Sequence, residues 1–229
     1  MWSLFAAPLF WQQASLEQLA SSVIAGESFN PEGLAAVADR VDLTSLALRP
    51  SLAGKLAAIR LRLLEKSLAT GELKDIDSQY AAFDDIIMQS LKNSPADPLL
   101  WAVSFWLRNT THGFTRDHLG FLAMSYKTGP NEGWLAARRN ALALAIYSEL
   151  PDSMADMVAD EFAGLVQSRF TSEAVDILLG PGWPLREKLI SKLKDVDIVA
   201  RQRFALAVYK EGYNIVVPGI DQREFRPWH

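Results

Sequence analysis

The chain has 229 residues, 49% of them apolar and 22% charged, with a net charge of −4 and no cysteine. This is enough apolar material for one core of ordinary size or two small ones, and too much for a disordered chain. The acidic balance argues against a protein that tracks nucleic-acid phosphates, which needs clustered Lys and Arg. The lack of Cys excludes disulfides, thiolate metal sites and cysteine nucleophiles, and leaves the compartment open.

Residues 2–11 are apolar and flanked by Trp2 and Trp11. At a rise of ~1.5 Å per residue the stretch falls far short of a ~30 Å hydrocarbon core. No Lys or Arg precedes it and no small-residue cleavage site follows, so it makes a poor signal peptide. It reads as an N-terminal arm, 1–14, docked on the domain. The competing reading is the interfacial end of a membrane segment, a setting that suits flanking Trp residues.

Helical periodicity then begins. Ser15 caps a helix over 16–25, with Leu16, Leu19, Ala20 and Val23 on one face and Gly26 at its end. Asn30-Pro31-Glu32 opens the next, a capping Asn followed by Pro and an acid at the positive end of the dipole. A longer helix covers 52–70, with Leu56, Ile59, Leu63, Leu64 and Leu68 as its stripe. Its Arg60, Arg62, Glu65 and Lys66 read as a solvated face. Asp75 or Asp77 caps a helix ending near Asn93, with Tyr80, Phe83, Ile86, Ile87 and Leu91 buried. Asp84 and Asp85 point about 100° apart around that helix and read as surface charge.

Two junctions then echo each other. Ser90-Leu91-Lys92-Asn93-Ser94-Pro95 is matched by Ser125-Tyr126-Lys127-Thr128-Gly129-Pro130 at a step of about 35 residues, and an acid and a Trp-containing apolar run follow each Pro. The helix at 99–109 is apolar almost all round, as in the middle of a stack. Thr115 caps 116–127, with Leu119, Leu122, Ala123 and Tyr126 inward. Asn131 caps the longest apolar helix, 132–150, with Leu135, Leu142, Ile146 and Leu150 along one face. Met154, Met157, Val158, Phe162 and Val166 carry a helix to about Phe170, Thr171 caps 172–179, and Gly180-Pro181-Gly182 turns the chain. A basic amphipathic helix over 184–194 and a last helix over 198–212 complete the series. In the tail, 213–229, Ile215-Val216-Val217-Pro218 favours extended structure, an arm along the last helices.

With its paired helices, closing Pro residues and near-constant step, 90–150 resembles a tetratricopeptide-type repeat. The resemblance implies an all-α fold of about ten helices over 15–212, in antiparallel pairs stacked as a short tetratricopeptide-like solenoid. The run Ser125-Tyr126-Lys127-Thr128-Gly129-Pro130-Asn131-Glu132-Gly133-Trp134, followed by Ala137-Arg138-Arg139-Asn140, resembles a family of bacterial helical-repeat proteins associated with exopolysaccharide biosynthesis. Such proteins carry a membrane anchor ahead of the repeats and no assigned catalytic residues. This resemblance implies a non-catalytic scaffold whose partners are proteins of an envelope or polysaccharide assembly. It also implies a membrane-associated or periplasmic location over a free cytoplasmic one, with peripheral membrane contact through 2–11.

Motifs for chemistry are sparse. His112, His118 and His229 have no metal-ligand spacing, and phosphate-binding, dinucleotide and nucleophile-elbow motifs are absent. No catalytic residue, metal or cofactor is therefore assigned. Arg138-Arg139-Asn140 is the most pointed polar group, and Glu132 lies too far upstream for a helical ion pair. Its functional reading is a clamp for an acidic partner group, because Arg forks match carboxylates and phosphates. The favoured competing reading is an inter-helix salt bridge to an acid such as Asp97 or Asp117. Trp101, Tyr126 and Trp134 join Arg138, Arg139 and Asn140 as candidate partner-binding residues, although Trp at helical spacing is more often core. The alternative function is a small-molecule-binding or enzymatic helical domain with a pocket near Arg138 and Trp101.

Overall fold

Capping aspartates open two of the described helices, Asp97 before Leu99 and Asp197 before Val199. The computed structural model describes Ile59, residues 76–130 and residues 132–221. The predicted arm at 1–14, the two helices before Arg49, the basic cluster at Arg60–Lys66 positions, the cap at Asn131 and the tail beyond Asp221 lie outside the described residues. Of the 52–70 helix only Ile59 is described; it is helical and fully buried. Among the described residues the regular structure is all helical, with eight α-helices, four short 3-10 turns and no strand.

The chain divides into two compact units, Met1–Gly129 and Pro130–His229. The division falls at the second of the two echoing junctions.

The first unit holds α1 (Ile76–Asn93), α2 (Pro98–His112) and α3 (Leu119–Thr128). The expected α1 stripe of Tyr80, Phe83, Ile86, Ile87 and Leu91 is buried. Asp97 caps α2, its Oδ1 accepting from the amides of Leu99 (3.0 Å) and Leu100 (3.2 Å), with Pro98 in the first turn. Seven α2 residues between Leu99 and Leu107 are buried on several sides, because α2 packs against both α1 and α3. Thr115 makes no side-chain cap; a 3-10 turn, Arg116–His118, leads into α3 instead.

The second unit holds α4 (Gly133–Ala145), α5 (Asp152–Gln167), α6 (Thr171–Leu179), α7 (Arg186–Ser191) and α8 (Ile198–Lys210). Four expectations change. The 132–150 helix stops at Ala145 and closes in a 3-10 turn, Tyr147–Glu149. Leu150 is extended (φ −75°, ψ 140°), as Pro151 requires of the residue before it. Its buried face is Leu135, Ala136, Arg139, Asn140, Ala143 and Leu144, rather than the face through Leu142 and Ile146. Thr171 lies inside α6, whose cap position is Phe170. The 184–194 helix is short, α7, between 3-10 turns at Trp183–Leu185 and Lys192–Asp195.

α5 is the hub of this unit, touching α4, α6, α7 and α8. Val158, Ala159 and Phe162 are fully buried on it, and Phe162 meets Phe204 of α8 edge to face at 5.9 Å. Met157, expected inside, is 44% exposed. Arg169, at φ 70°, ends α5, and the Phe170 amide reaches back to Leu165 O (3.1 Å). The tail from Tyr213 to Asp221 is non-helical and lies on α8. Ile215 and Val217 are buried while Val216 between them is 79% exposed, the two-residue period of an extended strip. Arg201 of α8 donates from Nη1 to Pro218 O and holds the strip in place.

Candidate functional site

Arg139 and Asn140 occupy core positions of α4, spaced four residues from Leu135 and Ala136 on one side and from Ala143 and Leu144 on the other. Both are fully buried. Arg139 donates from Nε to Glu161 Oε1 of α5 (3.1 Å), and its Nη2 donates to the same oxygen. Asn140 Nδ2 donates to Val158 O (2.8 Å) and to Glu161 Oε2 (3.2 Å). Both Glu161 oxygens are thus used by one turn of α4. Asn140 Oδ1 is buried with no hydrogen-bond partner among the described residues. For Arg139 the inter-helix acid is Glu161 of α5. Arg138 is half-buried on the neighbouring face.

Trp101 and Tyr126 belong to the first unit, and Trp134 to the second. Trp101 is half-buried, donates from Nε1 to Pro95 O (2.8 Å) and lies 6.0 Å from the Phe121 ring. It fastens the turn before α2 to that helix and to α3. Tyr126 is buried and Trp134 half-buried.

Sequence reasoning missed two features. In the first unit, Arg108 of α2 places Nη2 at 3.1 Å from each oxygen of Asp84, and its guanidinium stacks 4.7 Å from the centre of Phe121. Asp84 therefore belongs to an inter-helix ion pair, not to free surface charge. The pair opens on a cleft of about 440 Å³ between α1 and α2, also lined by Tyr80, Asp85, Thr111 and His112. Nearby, His118 Nδ1 lies 2.9 Å from Asn109 Oδ1. Burial, and then the charge of Arg108, holds His118 below the usual histidine range. Burial likewise raises Asp97, against the two amides it accepts from.

The second missed feature is the outer side of α8. Its inner side is Ala200, Phe204, Ala205 and Val208, all buried. Its outer side is also partly apolar: Val199 is 55%, Leu206 37% and Tyr209 39% exposed. On the segment after α6, by contrast, two lysines are paired with aspartates of α5. Lys192 lies 2.7 Å from Asp160 and Lys188 3.7 Å from Asp156, and hydrogen bonds to Asp160 and Tyr147 respectively raise the two lysines.

Among the described residues no three His, Asp or Glu side chains form a metal-ligand group, and no helix is long and apolar enough to cross a membrane. No protein-family model, curated protein or solved structure matches the chain.

Proposed function

We propose that the chain is a non-catalytic protein-interaction scaffold, and that α8 presents its docking surface. The observation that carries this is the second apolar side of α8: a helix already packed through Phe204 and Val208 keeps Val199 and Leu206 at the surface. An amphipathic helix normally exposes polar residues there. Exposed apolar side chains in a row are how a helix offers itself to a partner. The finer architecture, antiparallel pairs stacked as a tetratricopeptide-like solenoid, rests on the two echoing junctions and their resemblance to that repeat. Membership of a bacterial envelope or exopolysaccharide assembly, and a membrane-associated or periplasmic location, rest on the resemblance of the stretch from Ser125 through Asn140.

Arg139 and Asn140 leave the proposed surface, because their donors are turned to Glu161 and Val158 inside the second unit. The alternative, a small-ligand site, is better supported by the cleft at Asp84 and Arg108 than by Arg138 and Trp101. Affinity capture from the source cells tests the proposal. Leu206→Glu should abolish recovery of a specific partner while leaving the melting curve unchanged. Equal recovery by both proteins would refute the docking role of α8.

A further inference from the structure

The outer side of α8 has a second regularity besides apolarity. Val199 and Leu206 are seven residues apart, as are Gln202 and Tyr209, and Arg203 and Lys210. Seven residues are nearly two turns, so each pair drifts only about 20° around the axis. The helix therefore repeats three heptad positions once over its 13 residues. Val199 and Leu206 take one seam position, Gln202 and Tyr209 the other, and Arg203 and Lys210 flank them on one side. Arg203 and Lys210 are both exposed. Arg203 reaches only the Val199 carbonyl of its own helix, at 3.4 Å, and neither cation has an ion-pair partner among the described residues. The lysines at 188 and 192, in the same unit, each have an aspartate.

We infer that this seam binds an amphipathic partner helix whose flanking positions are acidic. The inference rests on the scaffold reading and names the chemistry of its partner. Apolar seam positions supply contact, and an uncompensated charge row beside them selects a partner of opposite sign. A membrane surface fits less well. The exposed strip is narrow, Val199, Leu206 and Tyr209 with Gln202 among them, whereas an interfacial helix presents a broad face of bulky apolar residues such as Trp, Phe and Leu.

The test uses the full chain and two labelled synthetic peptides of three heptads, with Leu at the seam. One has Glu at the flanking positions and the other has Gln. Fluorescence anisotropy at low salt should show the Glu peptide binding about fivefold tighter, as two exposed charge pairs allow, with the gap closing in high salt. Arg203→Glu combined with Lys210→Glu should reverse the preference. Leu206→Glu should abolish binding of both peptides. Equal affinity for Glu and Gln peptides, or binding of neither, overturns the inference. So does recovery on anionic vesicles that Arg203→Glu with Lys210→Glu abolishes, which assigns the face to membrane. A concentration-dependent dimer in sedimentation that Leu206→Glu dissolves also overturns it, by assigning the face to a second copy. If host capture depends on Leu206 while the two peptides tie, the scaffold reading stands and the acidic partner falls.

Discussion

Replacing Glu161 by Gln keeps the size of the side chain and removes the carboxylate to which Arg139 donates from both Nε and Nη2. Arg139 is completely buried and Glu161 is 7% exposed, so solvent cannot take over the lost counter-charge. Breaking a buried pair from one side typically costs about 3–5 kcal/mol, because a charge is left in the interior. In a unit of this size each kcal/mol moves the midpoint by about 4–8 °C, so Glu161→Gln should lower the melting temperature of the second unit by at least about 12 °C. Two further variants separate charge from packing. Arg139→Met should also destabilise, and Arg139→Met with Glu161→Leu should be more stable than either single replacement. Circular-dichroism melts of the four proteins give the answer. A shift under about 4 °C for Glu161→Gln, or a double variant whose loss is the sum of the singles, would refute the claim that Glu161 neutralises Arg139.

Three more outcomes are expected. Asn140→Asp places a carboxyl beside Glu161 and the Val158 carbonyl, and should cost at least about 2 kcal/mol at neutral pH. The new group's folded pKa is raised above its unfolded value, so the loss should shrink as pH falls through the folded pKa, in denaturant titrations at several pH values. For Asp97, burial raises the folded pKa, so its own contribution is largest below the unfolded pKa and is lost as pH rises through the folded one. Asp97→Asn keeps the cap without the buried charge and should at least match wild type at neutral pH, while Asp97→Ala should lose about 1 kcal/mol. In the turn after α6, a Cβ at Gly182 would come within 2.8 Å of Ile177 O and 2.9 Å of Leu189 Cδ1, so Gly182→Ala should cost about 1–3 kcal/mol in a thermal melt.

How far the sequence could be read depended on whether residue type and position agreed. α1 and α2 were legible because their apolar side chains coincide with the faces that pack: Phe83, Ile87 and Leu91 mark one face of α1, and the all-round apolar run of α2 marks a helix buried on several sides. α4 was misread for the opposite reason. Its core face runs through Arg139 and Asn140, so counting apolar residues selected the face of Leu142 and Ile146 instead. The polar pair itself stands out in the sequence, either as a clamp or as one side of an inter-helix bridge. The acid on it was visible too: Glu161 follows Val158 by three residues and precedes Leu165 by four, at the margin of a buried stripe. What no single helix could show is that the two margins face each other. The outer side of α8 was hidden by the same ambiguity. With apolar residues on two sides, the helix has no sharp periodicity, and only packing decides which side is buried.

A photo-crosslinking residue placed at position 206 in the source cells tests the central claim most directly, with exposed Ser172 on α6 as the control position. The account predicts a discrete protein adduct from position 206 and none of that size from position 172. Absence of an adduct at 206, or the same adducts from both positions, would contradict a docking role for α8.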